Sequence, residues 1–256
     1  MLPEIVGRAL GIDPLRVTLR AGQPDGPALK GAGAFGSRSM MSLGAGSAAA
    51  AAVIEKGKDL AYADGAFVIA GTDRRIGLAE LARQYPGRLD STIEHPSPKA
   101  FPSGAHVAEV EVDPETGMTD LLRYVSIDDC GVVLNGALLE GQIWGGLLQG
   151  LGQVFGELCV YSEDGQMVTG SFMDYPMPHA DLVRQVTIET VLVPSPSNGL
   201  GVKGVGEAGT VGSLPTAMNA VMDALRSRGV AHLDMPASAQ RVWQALQGGT
   251  AVEGAA

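Results

Sequence analysis

Residues 106–128, HVAEVEVDPETGMTDLLRYVSID, decide the fold class. Across 106–112 apolar and polar residues alternate, the period-two pattern of a strand with one buried face. Asp113, Pro114, Glu115, Thr116 and Gly117 form a strong turn signal, and 120–128 returns as a second strand. The stretch therefore reads as a β-hairpin. Downstream, 138–158 carries a long helical pattern, 186–193 alternates as another strand, and 214–226 is helical. Pro236 sits where a first-turn proline would open a last helix at 237–246. Upstream, 3–10 reads as a short helix closed by Gly11, 16–19 as a strand, 39–60 as an alanine-rich helix, 66–70 as a strand, and 78–84 as a helix ending before Pro86. Residues 88–102, rich in Pro and Ser, read as a surface loop. Hairpins with separate helices, rather than a regular βαβ alternation, predict an α+β fold. The reading gives one domain over 1–247 and a disordered tail over 248–256.

The 256 residues are 45% hydrophobic, enough to bury a sizeable core. A net charge of −10 and a pI near 4.8 argue against nucleic-acid binding and fit an expected cytoplasmic location. The opening MLPEIVGRALGI is not a signal peptide, and the most apolar stretch, 45–54, is too short to span a bilayer. Cys130 and Cys159 lie in no metal-ligand spacing and are read as two buried apolar thiols. His95, His106, His179 and His232 are scattered, and each is read as structural or exposed. Ser171, Ser195 and Ser213 lack a GxSxG setting, and no GxxxxGK[ST] phosphate loop is present. No side chain is assigned as a metal ligand.

The 36 glycines cluster near 31–46, 141–156 and 199–212. Such clustering points to backbone that passes close to a ligand or to another segment. Within the predicted 138–158 helix each glycine costs about 1 kcal/mol against Ala, so a close approach should offset it. The segment Lys203-Gly204-Val205-Gly206-Glu207-Ala208-Gly209 follows a Pro/Ser/Asn-rich bend and precedes a helix. It delivers one carboxylate to a helix mouth, where exposed backbone N–H groups suit an anion.

Three segments together resemble one family. The Lys203–Glu207 loop resembles the KGxGE segment of the molybdenum hydroxylases, the xanthine dehydrogenase/aldehyde oxidase/aerobic carbon monoxide dehydrogenase family. Residues 141–152, GQIWGGLLQGLG, resemble that family's GQxxGxxxQGxG helix, and Phe35-Gly36-Ser37-Arg38-Ser39 resembles its GSRS cofactor loop. The order and spacing match, as do 107–112, the Asp113 turn and Asp174-Tyr175-Pro176-Met177-Pro178, so the likeness runs over 10–246.

The resemblance implies the carboxy-terminal part of a large subunit that binds a molybdenum-pyranopterin, in its molybdopterin or cytosine dinucleotide form. Its β-hairpins would be packed by helices, with glycine-rich loops holding the cofactor. Glu207 takes the place of the general base in a hydroxylation that uses water as oxygen source and a small substrate such as an aldehyde or N-heterocycle. Gln142 matches a glutamine that hydrogen-bonds the pterin, and Gly36, Ser37, Arg38 and Ser39 match a loop that holds the pyranopterin and its phosphate. Lys203, Gly204 and Gly206 belong to the same cofactor-binding set. Partner subunits would carry 2Fe-2S and FAD. Three departures stand out. The family's GQG and GGGFGxK segments and its active-site loop have no counterpart, which implies an amino-terminal half supplied as a separate chain. A family helix is missing between Leu60 and Ala61. Gly199 replaces a Pro, which loosens the bend before Lys203. The alternative is a non-catalytic truncated remnant or interaction module of the same family.

Overall fold

The computed structural model describes residues 1–21, 23, 25, 37, 39–54, 60–90, 92–95 and 99–248. These form two compact units, one of Met1–Ala100 with Pro194–Gly204 and one of Phe101–Val193 with Val205–Ala256. Of the expected tail, all but Gly248 lies outside the described residues.

The first unit begins with helix α1, Leu2–Ala9, whose Glu4 and Arg8 complement the helix dipole at its two ends. The expected strand at 16–19 does not form. Asp13 accepts a bond from the Leu15 amide at 2.9 Å and caps one 3₁₀ turn, Pro14–Arg16, instead. The expected 39–60 helix is shorter. It starts as a π-turn at Met40–Gly44 and runs as α2, Ala45–Ile54. Leu60 already belongs to a strand, β1 (Leu60–Ala63), which pairs antiparallel with β2 (Ala66–Ile69), and β2 with β3 (Arg75–Gly77). Helix α3, Leu78–Gln84, follows where its sequence pattern places it. The Tyr62 hydroxyl donates to the Leu10 carbonyl at 2.5 Å and ties this sheet to the end of α1.

In the second unit β4 (Ser103–Val112) and β5 (Thr119–Asp129) form the predicted hairpin. Asp113 accepts from the Glu115 amide at 2.9 Å and the Thr116 hydroxyl at 2.6 Å, and Gly117 turns the chain at φ +73°. The pairing passes from Glu109 opposite Arg123 to Val110 opposite Leu121, leaving Leu122 as a bulge. Leu121 and Tyr124 are consequently both buried, and the pattern continues through Ser126 and Asp128. Helix α4, Gly136–Phe155, is capped by Asn135, which accepts from the Leu138 amide at 3.1 Å. Strand β6, Val183–Val191, pairs parallel with β5, so α4 belongs to a crossover rather than to a further hairpin.

Helix α5, Ala208–Arg226, begins earlier than its weak first-half propensity suggests. Gly209, Gly212 and Pro215 hide it from a sequence pattern. The last helix, α6, is Ala239–Leu246 rather than 237–246, and Pro236 is not in its first turn. The reason is local: the Ala237 amide donates to the Val154 carbonyl at 2.6 Å and is held out of the helix. Leu121, Tyr124, Leu147, Leu151, Val154, Val183 and Ala217 form one core under α4 and α5. A second cluster, centred on Val221, Leu225 and Val242, closes the α5–α6 end. Cys130 is buried as expected, but Cys159 is exposed in the segment beyond α4. No helix among the described residues is long and apolar enough to cross a membrane.

Candidate functional site

Within the first unit, the loop before Lys203 is drawn tight by one side chain. Asn198 accepts from the Val202 amide at 3.2 Å and donates to the Val202 carbonyl at 2.9 Å, and Gly201 turns at φ +66°. This bracket does what the absent proline would have done, holding the bend despite Gly199. Gly204 follows, buried against Ser37: a Cβ at 204 would fall 2.5 Å from the Ser37 carbonyl oxygen. Ser37 itself has φ +53°, a left-handed backbone that L side chains seldom adopt. Two of the three sequence motifs thus meet in this unit. Lys203 and Ser37 are half-buried and Ser39 is exposed. Gly36 and Arg38 lie outside the described residues.

The chain passes into the second unit between Gly204 and Val205. There Gly206 and Glu207 are exposed, and Glu207 is the N-cap residue of α5. Its side chain makes no capping bond to the helix. The turn that follows is locked against α4. A Cβ at Gly209 would lie 2.5 Å from the Ile143 carbonyl oxygen and 2.7 Å from the Leu147 nitrogen. The Thr210 hydroxyl donates to the Gly146 carbonyl at 2.9 Å and reaches the Gln149 amide oxygen at 3.3 Å. Gly146 and Gly150 in turn face Thr210 and Ser213 of α5.

The α4 glycines divide into two kinds. Gly146 and Gly150 admit α5, and Gly152 admits Glu157 and Pro178. Gly141 and Gly145, one turn apart, have nothing within 4 Å of a Cβ position. They are exposed on α4 together with Gln142 and Gln149. The helix therefore presents bare backbone flanked by uncharged amides, a surface that offers both donors and acceptors. No group of His, Cys, Asp and Glu among the described residues is arranged to hold a metal ion.

A buried polar row escaped the sequence reading. His106 Nδ1 lies 2.7 Å from the Tyr124 hydroxyl and its Nε2 3.2 Å from Asp128 Oδ1 and from Ser126 Oγ. Ser126 donates a short bond to the other Asp128 oxygen. Burial works to raise the Asp128 carboxyl, but the bonds from His106 and Ser126 and the nearby imidazole outweigh it and hold the group below its ordinary value. Burial pushes the Tyr124 hydroxyl well up, and the Asp128 charge adds to this against a bond from Thr216. The signal that could have found the row is the alternation itself, which puts 106, 124, 126 and 128 on the inward face.

Comparison with known proteins decides the family. The family model described as "Molybdopterin cofactor-binding domain" matches residues 1–184. The chain belongs to the molybdopterin cofactor-binding domain family. Two relatives carry the likeness beyond that match. It is 32% identical to the carbon monoxide dehydrogenase large chain of Hydrogenophaga pseudoflava, over 95% of this chain and 33% of that protein. It is 34% identical to the nicotine 6-hydroxylase large subunit of Paenarthrobacter nicotinovorans, over 78% of this chain and 26% of that protein. Among solved structures, the Cu,Mo-CO dehydrogenase in its carbon monoxide reduced state superposes with a TM-score of 0.82 at 30% identity, over 96% of this chain and 34% of that one. The α+β fold is thus that of this molybdopterin-binding family. The chain spans about a quarter to a third of the length of these relatives.

Proposed function

We propose that this member of the molybdopterin cofactor-binding family is the carboxy-terminal cofactor-binding part of a molybdenum hydroxylase large subunit. It hydroxylates a small electron-poor substrate, an aldehyde, an N-heterocycle or a related molecule, with water as oxygen source. The observation that carries the reading is Glu207: an exposed carboxylate at the N-cap of α5, on a turn pinned to the Gln142-bearing helix by Gly209 and Thr210.

In the second unit the open face of α4 fits the edge of a pyranopterin. Gln142 would hold the pterin edge with its amide, and the bare backbone at Gly141 and Gly145 leaves room for a flat group to approach. In the first unit Ser37, with Gly36, Arg38 and Ser39, and Lys203 with Gly204 would offer hydroxyls, charge and backbone amides of the kind a phosphate takes, and in the second Gly206 would offer a further amide. When bound, the molybdenum-pyranopterin supplies two-electron redox chemistry at the substrate carbon. Glu207 would accept the proton of the attacking water at its carboxylate, the role of a general base. Gly209 and Thr210 would keep that carboxylate at a fixed height above α4.

Completion of the site falls to the remainder of a large subunit, as in the relatives about three times as long. Phe172 and Met173 are 88% and 96% exposed. Large apolar side chains so bare suit a covered interface. An iron–sulfur subunit with 2Fe-2S and a flavin subunit with FAD would carry the electrons away.

The test is Glu207→Gln in the complete enzyme. Turnover should fall at least about 100-fold, the usual worth of a positioned base, with molybdenum content unchanged. Loss of metal together with rate, or retention of turnover, would reject the assignment.

A further inference from the structure

The buried row of the second unit faces α5. In the β4–β5 register His106 is opposite Ser126, Gly104 opposite Asp128 and Ala108 opposite Tyr124. Tyr124, Ser126 and Asp128 are buried and the His106 side chain is 4% exposed. Two glycines make the room. The Asp128 carboxylate occupies the space a side chain at Gly104 would take, and the His106 imidazole occupies that at Gly212 of α5.

With a neutral imidazole, the protons can be laid in one direction. Asp128 is a carboxylate and accepts only, so His106 Nε2–H donates to it and Ser126 donates to its second oxygen. His106 Nδ1 is then the acceptor for the Tyr124 hydroxyl. The chain runs Tyr124 to His106 to Asp128. Apolar side chains would fill this space without desolvation cost, so what the row adds is direction. It holds α5 at Gly212, where the ring fills the notch. This is the turn immediately after the α4 lock at Gly209 and Thr210.

We propose that His106, oriented by Tyr124, is a positioning residue for Glu207, fixing the first turns of α5 through its ring at Gly212. The catalytic consequence rests on the reading of Glu207 as the base; the placement of α5 does not.

Tyr124→Phe keeps the ring and removes the hydroxyl that orients His106, while His106→Gln removes the ring from the Gly212 notch. Amide exchange followed by mass spectrometry on the 256-residue chain reads the placement. In Tyr124→Phe the peptide 207–214 should exchange about tenfold faster, the loss of one buried hydrogen bond, with α4 and α6 unchanged. In the complete enzyme Tyr124→Phe should lower kcat about tenfold and leave KM nearly unchanged. His106→Gln should reproduce the exchange result; if it fails to fold, Tyr124→Phe decides alone. Unchanged exchange at 207–214, or faster exchange with unchanged kcat, overturns the proposal. A Glu207→Gln enzyme that keeps its turnover while Tyr124→Phe still loosens 207–214 would instead reject Glu207 as the base and leave the α5 clamp standing.

Discussion

Gly209→Ala is the sharpest test of how the N-terminus of α5 is held. On an isolated helix the change would help by up to about 1 kcal/mol. Here the added carbon meets the Ile143 carbonyl oxygen at 2.5 Å, the Leu147 nitrogen at 2.7 Å and the Gly146 carbonyl carbon at 3.0 Å. All three are backbone atoms of α4, and none can rotate away. Relief requires the helices to part, an overpacking cost of about 1–3 kcal/mol. Parting also strains the Thr210–Gly146 bond, now 2.9 Å long and worth about 1 kcal/mol. The expected net loss is about 1–3 kcal/mol, or roughly 2–10 °C in Tm for a chain of this size. Gly145→Ala, where nothing lies within 4 Å, is the matched control and should gain up to about 1 kcal/mol. Urea titrations followed by Trp144 fluorescence and far-UV circular dichroism would measure both. A Gly209→Ala chain as stable as the unaltered protein would refute the close-approach account of these glycines.

Two other perturbations test separate parts of the structure. Gln142→Ala should weaken retention of the molybdenum-pyranopterin in the assembled enzyme about fivefold per lost hydrogen bond, read as metal content after dialysis, with the fold unchanged because the side chain is exposed. Tyr124 has its hydroxyl raised above the ordinary value by burial, so it contributes stability that is complete below about pH 10 and is lost as pH rises past it. Tyr124→Phe should therefore be less stable at pH 7, by about 1–3 kcal/mol for the stranded His106 nitrogen, but should show a shallower alkaline decline in thermal melts from pH 9 to 12.

The hairpin was legible because both its strands and its turn carry local signals: alternation at 106–112, and Asp113 with Gly117 at the turn. Helix α3 was legible for the same reason. What failed was what tertiary contacts decide. The first turns of α5 carry Gly209, Gly212 and Pro215, and only α4 on one side and the polar row on the other make that stretch helical. The 3₁₀ turn at Pro14–Arg16 replaced a strand because Asp13 captures a nearby amide, a choice that alternation cannot report. The parallel partner of β5 was not read, since a period of two carries no direction.

In the site, the glycine-rich motifs pointed to close approaches, and the structure brings Gly204 onto Ser37 and Gly209 onto α4. Which glycines are filled from within the chain and which stay open, as at Gly141 and Gly145, was beyond the sequence. The role of His106 was equally hidden. A lone histidine carries no spacing, and its partners Tyr124, Ser126 and Asp128 become a set only through the strand register.

The two vacancies opposite the polar row, at Gly104 and Gly212, also bind four positions into a common evolutionary fate. A methyl arriving at 212 can be inherited only if the ring at 106 has already shrunk, and one at 104 only if the acid at 128 has withdrawn. Among distant descendants of this domain, these sites should drift as linked pairs, glycine with histidine and glycine with aspartate, while the open Gly145 is free to vary without them wherever no bound group lies over it.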